Sequence, residues 1–105
     1  MARAQRGEIW LIDLGLIQKP RPCLILSVAF QDHERAVVTY VPRTTRLRKT
    51  RFEVVHAAAG FDSGAFDAQG LGTVPDVKLE RKLGILDAAT LRHVELAVKL
   101  WLTLP

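Results

Sequence analysis

Apolar residues recur at helical spacing in one place along this chain, its end, and that restricts the fold more than any other feature. Behind Asp87, whose carboxylate suits an N-cap, the segment AATLRHVELAVKLWLTL sets Leu91, Val94, Val98 and Trp101 on one face. Trp101 is expected in the core with the other three. Before Asp87 the chain reads as short strands broken by turn residues. They are EIWLIDL from Glu8, the continuous apolar run CLILSVAF from Cys23, AVVTYV ended by Pro42, and RFEVVH. The run CLILSVAF predicts a strand buried on both faces, and QDHER a polar turn after it. TVPDVKL predicts a short edge strand or turn, because Pro75 cannot donate to a central ladder, and KLGIL another short strand. Between RFEVVH and TVPDVKL, AAAGFDSGAFDAQGLG gathers four of the seven glycines and predicts a loop. With 105 residues there is room for one domain over 1–105 and a thin core. The expected architecture is five or so short strands, compactly curled and closed by one helix.

Several function classes drop out at this level. No apolar run approaches the roughly 18 residues that cross a bilayer, and Glu8 and Asp13 interrupt the N-terminal stretch MARAQRGEIWLIDLG, so neither a membrane span nor a signal peptide is expected. A cytoplasmic location follows. Cys23, alone in the chain, has no internal disulfide partner and lies where a small buried hydrophobe belongs. His33, His56 and His93 do not fall at metal-ligand spacing, and Asp62, Asp67 and Asp76 are scattered, so no metal and no other cofactor is expected. Phosphate-loop, dinucleotide and nucleophile-elbow motifs are absent from the sequence.

What stands out is basic. The formal charge of +4 and a pI near 9.7 attract polyanions, either nucleic acid or an acidic protein segment. In KPRPCLILS, Arg21 lies between Pro20 and Pro22 at the mouth of a strand, with Lys19 before them. One proline fixes its own φ and the other pushes Arg21 toward extended geometry. Two readings are open: a solvated arginine in a loop entering a strand, or a guanidinium aimed at something. The hairpin PRTTRLRKTR crowds Arg43, Arg46, Arg48, Lys49 and Arg51 around Thr44 and Thr45. That density suits phosphate neutralisation with threonine hydroxyls as extra donors, or else protects a strand edge from pairing.

RGEIWLIDL, RPCLILS, VVTYVPRTT and FEVV, in this order and spacing, resemble the MazF/PemK family of toxins from type II toxin–antitoxin pairs, and the likeness runs over nearly the whole chain. The resemblance implies an SH3-like small barrel of the MazF/PemK/CcdB type, mainly β with a C-terminal helix. It implies a homodimer that cuts single-stranded RNA without a metal and an acidic antitoxin protein as partner. The family's "R-P" arginine falls on Arg21 and the threonine after "V-P-x" on Thr44, which makes these two the expected catalytic residues. The chemistry implied is attack of a ribose 2′-OH on its own 3′ phosphate, leaving a 2′,3′-cyclic phosphate and a 5′-OH. Arg43, Thr45, Arg46, Arg48, Lys49, Arg51 and Lys19 are then the expected RNA contacts. The chain departs from the family in its short GLIQKP loop before Arg21 and around Gln69 and Gly70, where the family's "D-Q" pair has no match. Two other readings stand beside this one: a non-catalytic module of the same fold that binds RNA or an acidic peptide, and an inhibitor of DNA gyrase.

Overall fold

The computed structural model describes residues 3–15 and 19–105. Among the described residues seven strands precede one α-helix: β1 Glu8–Ile12, β2 Arg21–Ile25, β3 Val37–Thr44, β4 Glu53–His56, β5 Gly64–Asp67, β6 Gly72–Pro75, β7 Leu79–Ile85 and α1 Ala88–Leu102. They form one antiparallel sheet in the order β4-β5-β3-β2-β1-β7, with β6 on β3. The fold is therefore mainly β with a C-terminal helix, as expected, and the small barrel is an open sheet with β4 and β7 at its ends. Among the described residues, no helix is long and apolar enough to cross a membrane.

The long strand β3 organises the rest. Its first half pairs with β6 and its last two residues, Arg43 and Thr44, pair with β5. Pro42, expected to stop the strand, instead lies inside it. It falls between these two partners, where neither β5 nor β6 opposes it, so its missing N–H breaks no ladder bond on that edge. The strand thus runs on to deliver Thr44.

Apolar side chains cover both faces of the sheet. On one, Ile9, Leu24, Val41 and Phe66 pack with Val94 and Val98 of α1. On the other, Ile12, Cys23, Ile25 and Val38 gather with Trp10 and Tyr40 around them. Cys23 is fully buried there and its thiol is pushed up to about 12 by burial, so it packs and does not react. The Asp87 carboxylate caps α1 through Thr90 N and Thr90 Oγ1, both at 2.9 Å.

Three further expectations need correction. The stretch read as a loop contains β5 and a 3-10 turn at Ala68–Gly70. Its glycines gave a false loop signal, because they answer to crowding. A Cβ on Gly64 would lie 2.5 Å from the Thr44 carbonyl oxygen, and one on Gly72 2.6 Å from the Tyr40 hydroxyl. The run CLILSVAF leaves the ladder after Ile25, and Val28 is 81% exposed. Trp101 is 43% exposed and meets the core only edge-on, its ring 5.2 Å from that of Phe52.

Candidate active-site groove

The site is built where β2 and β3 end together. Cys23 pairs with Pro42, Leu24 with Val41 and Ile25 with Tyr40, and the same register carried two residues further sets Arg21 across from Thr44. Residues distant in sequence are therefore neighbours because of strand pairing alone. Both open onto a groove of about 850 Å³, together with Pro22, Thr45, Arg46 and Arg48. Leu11, Leu83 and Phe61 supply apolar surface to it, and Asp62, Asp67 and Arg81 charge.

Arg21 is half-buried, and its Nη2 donates to the carbonyl oxygen of Arg43 at 3.0 Å. That contact occupies one N–H of the planar fork and fixes the direction of the others. Arg21 is thus not a freely solvated loop residue: it opens β2 and its guanidinium is tied to β3. Thr44 Oγ1 accepts the Arg46 N–H at 3.0 Å and lies 3.4 Å from the Arg46 carbonyl, a short loop closure that turns the chain at the strand's end. Thr45, Arg46 and Arg48 follow on this turn, all exposed. The Glu53 carboxylate accepts the Arg48 N–H at 2.9 Å and the Lys49 N–H at 2.7 Å, which ties the hairpin tip to β4.

The basic cluster does not act as one patch. Arg46 and Arg48 line the groove, whereas Lys19, Lys49 and Arg51 do not. Lys19 and Lys49 are exposed, and the Arg51 guanidinium lies over the Phe52 ring at 4.7 Å. Arg43 departs furthest from the expectation of a surface phosphate contact. It is only 5% exposed, with Nε donating to His56 Nδ1 at 2.9 Å and Nη2 to the carbonyl oxygens of His56 and Asp62. Arg43 still lines the groove, but from behind its wall, with its guanidinium packed against Phe61 and bonded to the Asp62 carbonyl while Thr44, the next strand residue, stands across from Arg21. Burial, partly opposed by the Asp62 charge, lowers the Arg43 pKa, and burial with the adjacent Arg43 charge lowers that of His56.

Arg81, Asp62 and Asp67 also line the groove, and no sequence motif marks them for it. Arg81 reaches the groove because β7 pairs with β1, where it stands opposite Leu11. A pairing between strands some 70 residues apart leaves no local trace. The Asp67 carboxylate is engaged with the Gln69 N–H at 3.1 Å, where it caps the 3-10 turn. The short GLIQKP loop lies partly outside the described residues.

A family model described as PemK-like, MazF-like toxin of type II toxin–antitoxin systems matches residues 5–102. Among solved structures, an endoribonuclease in complex with its cognate antitoxin from a mycobacterial species is 27% identical. It covers 97% of each chain at a TM-score of 0.84. The Mycobacterium tuberculosis toxin MazF-mt6 is also 27% identical, covering 93% of this chain and 98% of its own at a TM-score of 0.78. A MazE–MazF complex from Deinococcus radiodurans, 21% identical over the full length of both chains, shares the fold at a TM-score of 0.84.

Proposed function

The chain belongs to the PemK-like, MazF-like toxins of type II toxin–antitoxin systems, and from that premise we propose that it is an endoribonuclease acting on single-stranded RNA. The observation that carries this is the meeting of Arg21 and Thr44 at one end of the β2–β3 ladder, on a groove rimmed by Arg46, Arg48 and Arg81. Of the solved relatives at 27% identity, one is an endoribonuclease in complex with its cognate antitoxin and another is the toxin MazF-mt6, which supports this reading.

The reaction is attack of a ribose 2′-OH on its own 3′ phosphate. The nucleophile belongs to the substrate, so the protein has to stabilise charge on the crowded phosphorane and let protons move at the attacking and leaving oxygens. Arg21 serves the first need. Its planar fork of donors matches a phosphate, and with one N–H spent on Arg43 the rest of the fork is directed at the non-bridging oxygens. Thr44 donates a second hydrogen bond by exchanging its long contact to Arg46 for a phosphate oxygen. Arg46, Arg48 and Thr45 hold flanking phosphates. The products are a 2′,3′-cyclic phosphate and a 5′-OH.

The regulatory partner in this reading is an acidic antitoxin segment that lies over the cationic rim and excludes RNA, and the toxin works as a homodimer. Purified protein is expected to cut a long single-stranded RNA in the presence of a chelator, with new 5′-OH ends sharing a short sequence. RNA that is retained by the protein but never cut would instead identify a binding module.

A further inference from the structure

The geometry points to His56 as a positioning residue for this groove: through Arg43 it holds both the wall at Ala59–Asp62 and the strand end that aims Arg21 and Thr44. The activity readout below rests on the ribonuclease reading, and the exchange readout does not.

Burying a guanidinium costs free energy unless its donors are all satisfied. No ion pair to Arg43 is formed among the described residues, and its partners are a neutral ring nitrogen and two carbonyl oxygens. His56, 6% exposed, is the only side chain among these acceptors. Accepting from Nε of Arg43 requires Nδ1 of His56 to be unprotonated, with the ring proton on Nε2. The Phe61 ring stands 5.2 Å from the Arg43 guanidinium and 5.3 Å from the His56 ring, so the wall residue closes over the pair. Fit is tight on the far side too, since a Cβ on Gly64 would lie 2.8 Å from Arg43 Nη1.

Arg43 is thereby held at both of its ends. Its guanidinium is fixed to β4 and to the Asp62 carbonyl, while its own carbonyl oxygen receives Arg21 Nη2. Loss of the His56 acceptor leaves a buried donor unpaired, and the arrangement can relieve this only by moving Arg43 or opening the wall. Either motion displaces the Arg43 carbonyl from Arg21. Protonation has the same effect, because it turns Nδ1 into a donor facing a donor. The charged groups around the ring are Arg43 from β3 and the carboxylate of Asp87 ahead of α1, with Asp62 acting on Arg43, and the aromatic neighbours Phe61 and Phe66 carry no charge.

The test compares His56→Asn, whose side-chain oxygen replaces the Nδ1 acceptor, with His56→Leu, which fills the space without one. With a single-stranded RNA oligonucleotide, His56→Leu is expected to lose roughly tenfold or more in kcat while KM stays within about threefold, and His56→Asn to restore kcat to within about threefold. The wild-type kcat should fall on the acid side of about pH 6.5, and His56→Asn should lack that limb. Without RNA, amide hydrogen exchange over residues 57–63 should quicken in His56→Leu and stay as in wild type in His56→Asn. Arg43→Lys, too short to span the same three acceptors, should resemble His56→Leu. Wild-type kcat and protection in folded His56→Leu, or a loss in His56→Asn as deep as in His56→Leu, overturns the assignment. Should the wild type not cut RNA, the ribonuclease reading fails and the exchange comparison alone decides this one.

Discussion

The Arg21 guanidinium donates to the main-chain oxygen of Arg43 at 3.0 Å, across a ladder whose register also brings Arg21 opposite Thr44. A side chain that would otherwise sweep through solvent is thus tethered to the strand that carries Thr44, its proposed partner in catalysis. Pre-aligned donors act more strongly on a developing charge than donors that must be ordered during the reaction.

Removal of the fork should therefore be felt in the rate and hardly in the fold. Arg21→Ala is expected to lower kcat by about 100-fold or more, near 3 kcal/mol in the barrier, by analogy with loss of one oxyanion donor. Arg21→Lys should recover little, since an ammonium cannot hold the Arg43 carbonyl and bind a phosphate in the same plane. Single-turnover cleavage of a defined oligonucleotide measures both, with thermal melting to confirm that the variants are folded.

Thr44 has two tasks, and two substitutions separate them. Thr44→Val keeps the β-branched shape but removes both the acceptor of the Arg46 N–H and the proposed donor to phosphate. Thr44→Ser keeps both. Cleavage is expected to fall about tenfold or more in Thr44→Val and to return in Thr44→Ser, a donor bond to charge being worth roughly 1.5–3 kcal/mol. Equal rates in the two would remove the hydroxyl from the chemistry.

Gly64 sets a steric limit directly beside the site. In Gly64→Ala the new methyl would stand 2.5 Å from the Thr44 carbonyl oxygen and 2.8 Å from Arg43 Nη1. Neither neighbour yields easily, because one is backbone in a ladder and the other a guanidinium held at three points. A loss of about 1–3 kcal/mol in urea unfolding is expected, the usual range for overpacking a well-filled site.

Much of this was legible before the strands were placed. The helix behind Asp87, the strands around Trp10, Val38 and Val54, and the pairing of Arg21 with Thr44 as family positions all follow from local pattern or ordered motif. What was hidden depends on contacts distant in sequence. GAFD looks like loop until Phe66 is seen at 0% exposure with Thr44 packed against Gly64. Arg43 looks like one more surface cation, because no local pattern shows that its acceptor is a histidine thirteen residues on. Period-two alternation does separate Arg43 from Thr44, but only once β3 is known to run through Pro42.

The buried imidazole makes stability depend on acidity in a definite sense. Burial and the Arg43 charge depress the pKa of His56 in the folded protein below its ordinary value of 6.5. The unfolded chain therefore takes up the proton first as pH falls, so full stability is present above about pH 6.5 and is lost progressively below it. Urea midpoints at pH 7.5 and 5.5 should differ in the wild type and converge in His56→Asn. The Asp87 cap, whose carboxyl is held low by its bonds to Thr90, loses its contribution only in stronger acid and is common to both proteins.

The most direct test of ribonuclease action at Arg21 is end-mapping of a long single-stranded RNA after incubation with wild-type protein and with Arg21→Ala, both in EDTA. The wild type is expected to leave 5′-OH ends and 2′,3′-cyclic phosphates at a short shared sequence, and the variant at least about 100-fold fewer. Equal cutting by a folded Arg21→Ala protein, or no cutting by the wild type, would contradict that role.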